Sequence, residues 1–244
     1  MVNLIYTELL KLKRSQMFLI SIIGAATAPF VCFIAYLKAK SQQPDIPILF
    51  TEVFSQTNLF IDLLIGVSLY GVITAYLFNR EYIENTMKNI LTIPVSRTKF
   101  FISKLIMLFI WIIGMTLAAW LLTVIFGLIG QFEGISLATS MLALKEYLIG
   151  GILLFLLSTP TILVTLLFKN YVSTIVFTLV LTMVNVLIVQ SEYIALYPWS
   201  AVQVIATKSF IPEYPPEYSY ISILATSIIG LVAALVYFQK EDIH

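Results

Sequence analysis

The chain has 244 residues, 60% of them hydrophobic and only 11% charged, with a net charge of +1 and a mean hydropathy of +0.98. A soluble domain carries about a quarter of its residues as charges, so this composition describes an integral membrane protein. The near-neutral balance gives no electrostatic footprint for nucleic acid, and the single cysteine, Cys32, leaves no intramolecular disulfide.

Residues 1–16 precede the first long apolar run and carry a pattern of their own. Ile5, Leu9 and Leu12 recur at helical spacing, while Asn3, Thr7, Lys11 and Arg14 mark another face. One reading is a short helix in the inner interface, with Lys11, Lys13 and Arg14 near anionic headgroups. The other is an ordinary positive flank that sets topology. No clean small-residue cleavage site follows the first run, so no cleaved signal peptide is expected.

A helix needs about 20 apolar residues to cross a bilayer. Six runs qualify: 17–37, 59–78, 101–125, 147–168, 171–189 and 218–238. They are continuous and lack the alternation of membrane strands, which excludes a barrel. The expected fold is therefore all-α, a single membrane domain over 1–244 with six transmembrane helices. With the N-terminus inside, ten Lys and Arg fall on the cytoplasmic side and four outside, which places both termini in the cytoplasm. Pro29 and Pro160 lie inside spans and are expected to kink them. Asp62 falls near the outer end of the second span, within reach of the interface.

Between spans two and three, residues 79–104 hold five Lys and Arg (Arg80, Lys88, Arg97, Lys99 and Lys104) with only Glu81 and Glu84 opposing them. Ile83, Met87, Ile90 and Leu91 share one helical face; Glu81, Glu84, Asn85, Lys88 and Thr92 occupy the other. Pro94 ends that pattern, and Ser96 is placed to cap the next helix. The expectation is a short amphipathic cytoplasmic helix within the loop 79–100; the alternative is that spans two and three simply extend into the cytoplasm.

Outside, residues 191–217 interleave Pro198, Pro212, Pro215 and Pro216 with Tyr193, Tyr197, Trp199 and Tyr214. The stretch 199–210 is expected to dip into the outer interface as a short helix. Span five aligns Thr174, Thr178, Thr182 and Asn185 on one face. Such a stripe is either a wet substrate path or a seam of interhelical hydrogen bonds.

The chain has no phosphate-cradling G-x-x-x-x-G-K-[ST] and no H-E-x-x-H, and its lone histidine is His244. No nucleotide, histidine-based metal or triad site is expected. The scarcity of intramembrane ionisable groups disfavours a self-sufficient channel or secondary transporter. A non-catalytic scaffold stays as a further alternative.

The loop E-Y-I-E-N-T-M-K-N-I-L-T-I-P-V-S-R (81–97) resembles that of type-2 ABC exporter permeases. In these an acidic residue, an N-[GT]-T-like turn, an apolar helix and P-x-S-R follow span two. Glu81 and Glu84, Asn85 and Thr86, residues 87–91, then Pro94, Ser96 and Arg97 fill those places, with Thr86 where glycine is common. The opening E-L-L-K-L-K-R-S (8–15) and Y-P-W-S (197–200) are similar too. The nearest branch is the peptide-antibiotic group, which includes lantibiotic-immunity and bacitracin-resistance permeases.

This resemblance implies a bacterial cell-membrane half-transporter without enzymatic activity of its own. It implies a cytoplasmic ABC ATPase that holds ATP and Mg, with no cofactor in this chain, and a second permease protomer, identical or related. Residues 1–16 become a connecting helix and the stretch around 81–91 a coupling helix. Arg80, Glu81, Glu84, Asn85, Thr86, Lys88, Pro94, Ser96 and Arg97 become ATPase-coupling residues. The cargo becomes an amphipathic or antimicrobial peptide, or a lipid-like antibiotic, moved out of the cell or the membrane.

Overall fold

The structure, a computed structural model, describes residues 2–13, 15–84, 86 and 96–240. Six of its helical segments are long and apolar enough to span a membrane. Helix α1 (Val2–Lys13) ends just before α2 (Gln16–Gln42), whose start is capped by the Ser15 side chain accepting from the Met17 amide. Helix α3 (Phe50–Phe60), a π-helical turn (Ile61–Ile65) and α4 (Gly66–Ile83) together form the second span. Helix α5 (Arg97–Ile129) is the third, and Ser96 caps it as expected, accepting from the Lys99 amide.

The fourth span is α6 (Leu137–Leu156) followed by α7 (Ser158–Phe168), interrupted at Leu157. The break lies three residues before Pro160, which has no N–H to offer the Leu156 carbonyl. The Thr159 hydroxyl donates to that carbonyl instead, at 3.1 Å. Pro29, by contrast, sits inside an uninterrupted α2. Helix α8 (Tyr171–Ile188) is the fifth span and α10 (Pro216–Lys240) the sixth. Between them lie a 3-10 turn (Glu192–Ala195) and α9 (Pro198–Thr207).

The second and fourth spans begin well before hydropathy placed them, at Phe50 and at Leu137. In the first case Thr51, Glu52, Ser55 and Gln56 lower the mean hydropathy. Yet Phe50, Val53, Phe54, Thr57 and Asn58 form a buried helical stripe. Phe50 meets Phe132 and Phe54 meets Tyr147 edge-on in a second core cluster, and a short bridge pairs Leu49 with Glu133. The earlier start moves Asp62 from a helix end into the π turn, where it is fully buried and does not reach the interface.

Helix α9 does not lie in the outer interface either. Residues Trp199 to Ala206 are all buried, packed against α6, α10 and the π turn. The Ser200 hydroxyl donates to the Ile194 carbonyl at 2.8 Å and Ser219 to Ala195 at 2.9 Å, fixing the helix inside the protein.

Candidate functional site

At the end of the bundle that holds α1, four ionisable side chains from three helices meet. Glu8 and Lys11 come from α1, Glu81 from the last turn of α4, and Lys104 from the start of α5. Lys104 Nζ is 2.6 Å from Glu81 Oε2 and 3.8 Å from Glu8 Oε2. Lys11 Nζ lies 2.9 Å from Glu8 Oε1 and 3.1 Å from Glu81 Oε1. Lys104 also donates to the Leu77 carbonyl and sits 5.1 Å from the Phe100 ring centre.

Glu8, Glu81 and Lys104 are buried, whereas the Lys11 side chain keeps about a third of its surface exposed. Buried charges are tolerated when paired and hydrogen-bonded, and here two cations alternate with two anions. Burial works against the Lys11 ammonium, but Glu8 and Glu81 outweigh it and raise its pKa above the ordinary lysine value. The cluster pins α1 to the ends of the second and third spans that flank the 84–96 connection.

Two further clamps share this face. Arg97 Nη1 donates to the Phe238 and Gln239 carbonyls at 3.4 and 3.1 Å, and Gln239 Nε2 donates to Thr98 at 3.2 Å. A cation thus closes the negative end of α10 and ties it to the start of α5. Buried Asn79, with its amide oriented to suit its neighbours, donates to the Lys169 carbonyl at 3.0 Å. It accepts from the Asn170 and Tyr171 amides at 3.1 and 3.2 Å. That joins α4 to the α7–α8 turn.

The expected coupling residues therefore separate by role. Glu81 turns inward and commits both carboxylate oxygens to lysines. Arg80 and Glu84 form a pair on the rim at 2.8 Å, with Glu84 exposed and Arg80 over the Tyr76 ring. The Thr86 amide donates to the Glu81 carbonyl at 3.0 Å. Ser96 and Arg97 anchor α5. Asn85, Lys88, Pro94 and the helix expected at 87–91 lie outside the described residues. Residues 81–83 continue α4, as the extended-span alternative had it.

On α1 the buried face centres on Glu8 and Leu12, while Tyr6, Leu9 and Leu10 are exposed. Leu9 therefore does not share the protein-facing side with Leu12. These side chains border an apolar groove of about 780 Å³ completed by Phe18, Ile110 and Trp111.

The stripe on span five faces α4 and α7. Thr174, Thr178 and Asn185 are buried and Thr182 is half-buried. Thr165 and Thr174 lie 3.0 Å apart, Ser68 and Thr182 3.1 Å, and Asn185 Nδ2 donates to the Leu63 carbonyl at 2.8 Å. A Cβ on Gly71 would fall 2.3 Å from Thr178 Cγ2, so glycine permits the close approach of α4 and α8.

Sequence reasoning passed over Glu8, Lys11, Lys104 and Asn79 as site residues. The available signals were the Glu8–Lys11 spacing on one helix and a lysine leading into an apolar run, which requires a buried acid.

Six helices long and apolar enough to cross a membrane, two of them tied to α1 by an ionic cluster, define a multi-pass membrane protein. The model of the ABC-2 family transporter protein matches residues 4–185; the chain belongs to this family and is a membrane permease. It is 62% identical over 208 residues to the bacitracin transport permease protein BCRB of Bacillus licheniformis, covering 85% of this chain and all of that protein.

Proposed function

We propose that this chain exports an amphipathic peptide antibiotic of the bacitracin kind, driven by a separate cytoplasmic ABC ATPase that holds the ATP and Mg. The cargo reading rests on the likeness to the bacitracin permease. The driving mechanism rests on one observation: Glu81, at the base of the 84–96 connection, is locked to both α1 and α5.

The ATPase engages the rim at Arg80, Glu84 and Thr86 together with the connection that follows. Its closure tilts the end of α4. Because Glu81 is bonded on both sides, α1 and α5 move with it, Arg97 carries the motion to α10, and Asn79 carries it to α7 and α8. Rigid elements linked in this way turn a local push into a rigid-body shift of spans. Two permease protomers, identical or related, complete the transporter in the cell membrane, with both termini of each in the cytoplasm. The apolar groove beside α1 is filled by lipid. Hydrolysis belongs to the ATPase, and this chain contributes no catalytic group.

The span-five stripe supports a structural role better than a wet path, since Thr182 meets Ser68 of α4, Thr174 meets Thr165 of α7 and the Asn185 amide donates to Leu63 of the π turn. Expression with its ATPase in a bacitracin-sensitive bacterium tests the proposal. Resistance should rise several-fold, and inactivating the ATPase should abolish the rise. Protection that survives ATPase inactivation would instead identify a self-sufficient transporter.

A further inference from the structure

In the second span the π turn Ile61–Ile65 holds Asp62 with no accessible surface. Its Oδ2 accepts one hydrogen bond, from Asn58 Nδ2 at 3.1 Å, and its Oδ1 has no partner. Nearby oxygens share that state: Asn58 Oδ1, Thr57 Oγ1 and Asn185 Oδ1 are buried and unpartnered. Asn58 and Asn185 each donate one amide hydrogen, to Asp62 and to the Leu63 carbonyl. Three carboxyl and amide oxygens around the turn, Asp62 Oδ1, Asn58 Oδ1 and Asn185 Oδ1, therefore have no donor bonded to them.

No cation relieves it: among the described residues Asp62 forms no ion pair. Glu146 and Tyr147 face it from α6 and Tyr70 from α4, and Cys32 of α2 lies beside Thr57 of α3. Helix α9 contains no ionisable residue, and α8 has only Tyr171, at its inner end. Every one of these neighbours is neutral or acidic. The carboxyl is also pressed against α6, since a Cβ on Gly150 would lie 2.3 Å from Oδ1.

We propose that Asp62 is a proton-binding site: the carboxyl is carried as the neutral acid, and loss of its proton loosens the π turn from α6 and α8. A buried carboxylate without a cation is strongly disfavoured, whereas the acid form supplies the donor that the surrounding oxygens lack. π turns are frequent at functional positions because their wider ring re-aims side chains and leaves carbonyls available. The turn stands directly before α4, the helix whose last turn holds Glu81, so protonation sets the packing of the same span that, on the proposed function, the ATPase moves.

The test uses the full-length chain in native membranes and in detergent. An apolar carbodiimide adds the O–H of a carboxylic acid across its C=N bond and rearranges to a stable N-acylurea, so it marks only the protonated form. Mass spectrometry should find the adduct on the peptide carrying Asp62, falling by about tenfold for each pH unit above its titration point. Melting temperatures of the wild type and Asp62→Asn, which keeps the shape without the proton, supply the second readout. The wild type should lose stability relative to the variant over the pH range that runs from the ordinary carboxylate value up to the titration point found by the labelling. A melting temperature that tracks Asp62→Asn across that range overturns the proposal, whatever the labelling.

Discussion

Lys104 Nζ approaches Glu81 Oε2 to 2.6 Å, with each side chain no more than 3% exposed. One buried ion pair thus spans the two ends of the 84–96 connection, joining the last turn of α4 to the start of α5. The two helices are not free to move apart at this face, and Lys11 and Glu8 bring the N-terminal helix into the same unit.

Removing one member of the cluster should cost far more than removing a matched pair. Glu81→Gln leaves Lys11 and Lys104 with Glu8 as their one remaining acid, 3.8 Å from Lys104, and is expected to destabilise the protein by about 3 kcal/mol. Adding Lys104→Met should recover part of that loss. A double-mutant cycle read by thermal denaturation in detergent measures the coupling, and additive effects would show that the pair is not a pair in energy.

Glu84→Arg addresses the rim. The Arg80–Glu84 pair is exposed, so its loss should change stability by at most about 1 kcal/mol. Association with the ATPase, and peptide-stimulated hydrolysis, should nonetheless fall. Pull-down and hydrolysis assays on the same preparation check both halves of this expectation.

The inner face was partly legible from sequence. The 79–104 block is the densest polar stretch near a span, and Ser96 carried its cap signal openly. Which way Glu81 points was hidden, because α4 is apolar nearly all round and offers no polar face from which to orient it. The six spans were visible as apolar runs, but residues 50–58 bury a stripe through mixed polarity, so the second helix starts before any hydropathy window registers it. That shift alone displaced Asp62 from an interfacial position to a buried one. Helix α9 was recognisable as short and apolar. Its burial depends on α6, α10 and the π turn, contacts that no local pattern encodes.

On span five, Thr178→Leu pushes two methyl groups into the contact with Gly71. Overpacking of this kind costs about 1–3 kcal/mol, so melting temperature should fall while the cargo preference of the remaining folded protein is unchanged. Altered preference at normal stability would mark the stripe as a substrate path. Gly71→Ala should repeat the stability loss from the other side.

Lys11 gives α1 a signed pH response. Its folded pKa is raised above 10.5, so its contribution is fully present below the ordinary lysine value and is lost as the pH climbs through the folded one. A fluorophore on Leu10→Cys, in a chain with Cys32→Ser, should report α1 as docked through neutral pH and released in that alkaline range. Lys11→Met should remove the transition.

The central claim is that Glu81 carries the ATPase's movement into the spans. Its most direct test is peptide transport per ATP hydrolysed in proteoliposomes, comparing the wild-type complex with Glu81→Gln reconstituted at equal ATPase occupancy. The variant should bind the ATPase and permit hydrolysis yet move little peptide. Transport at the wild-type ratio of peptide to ATP would show that the movement reaches the spans by another route.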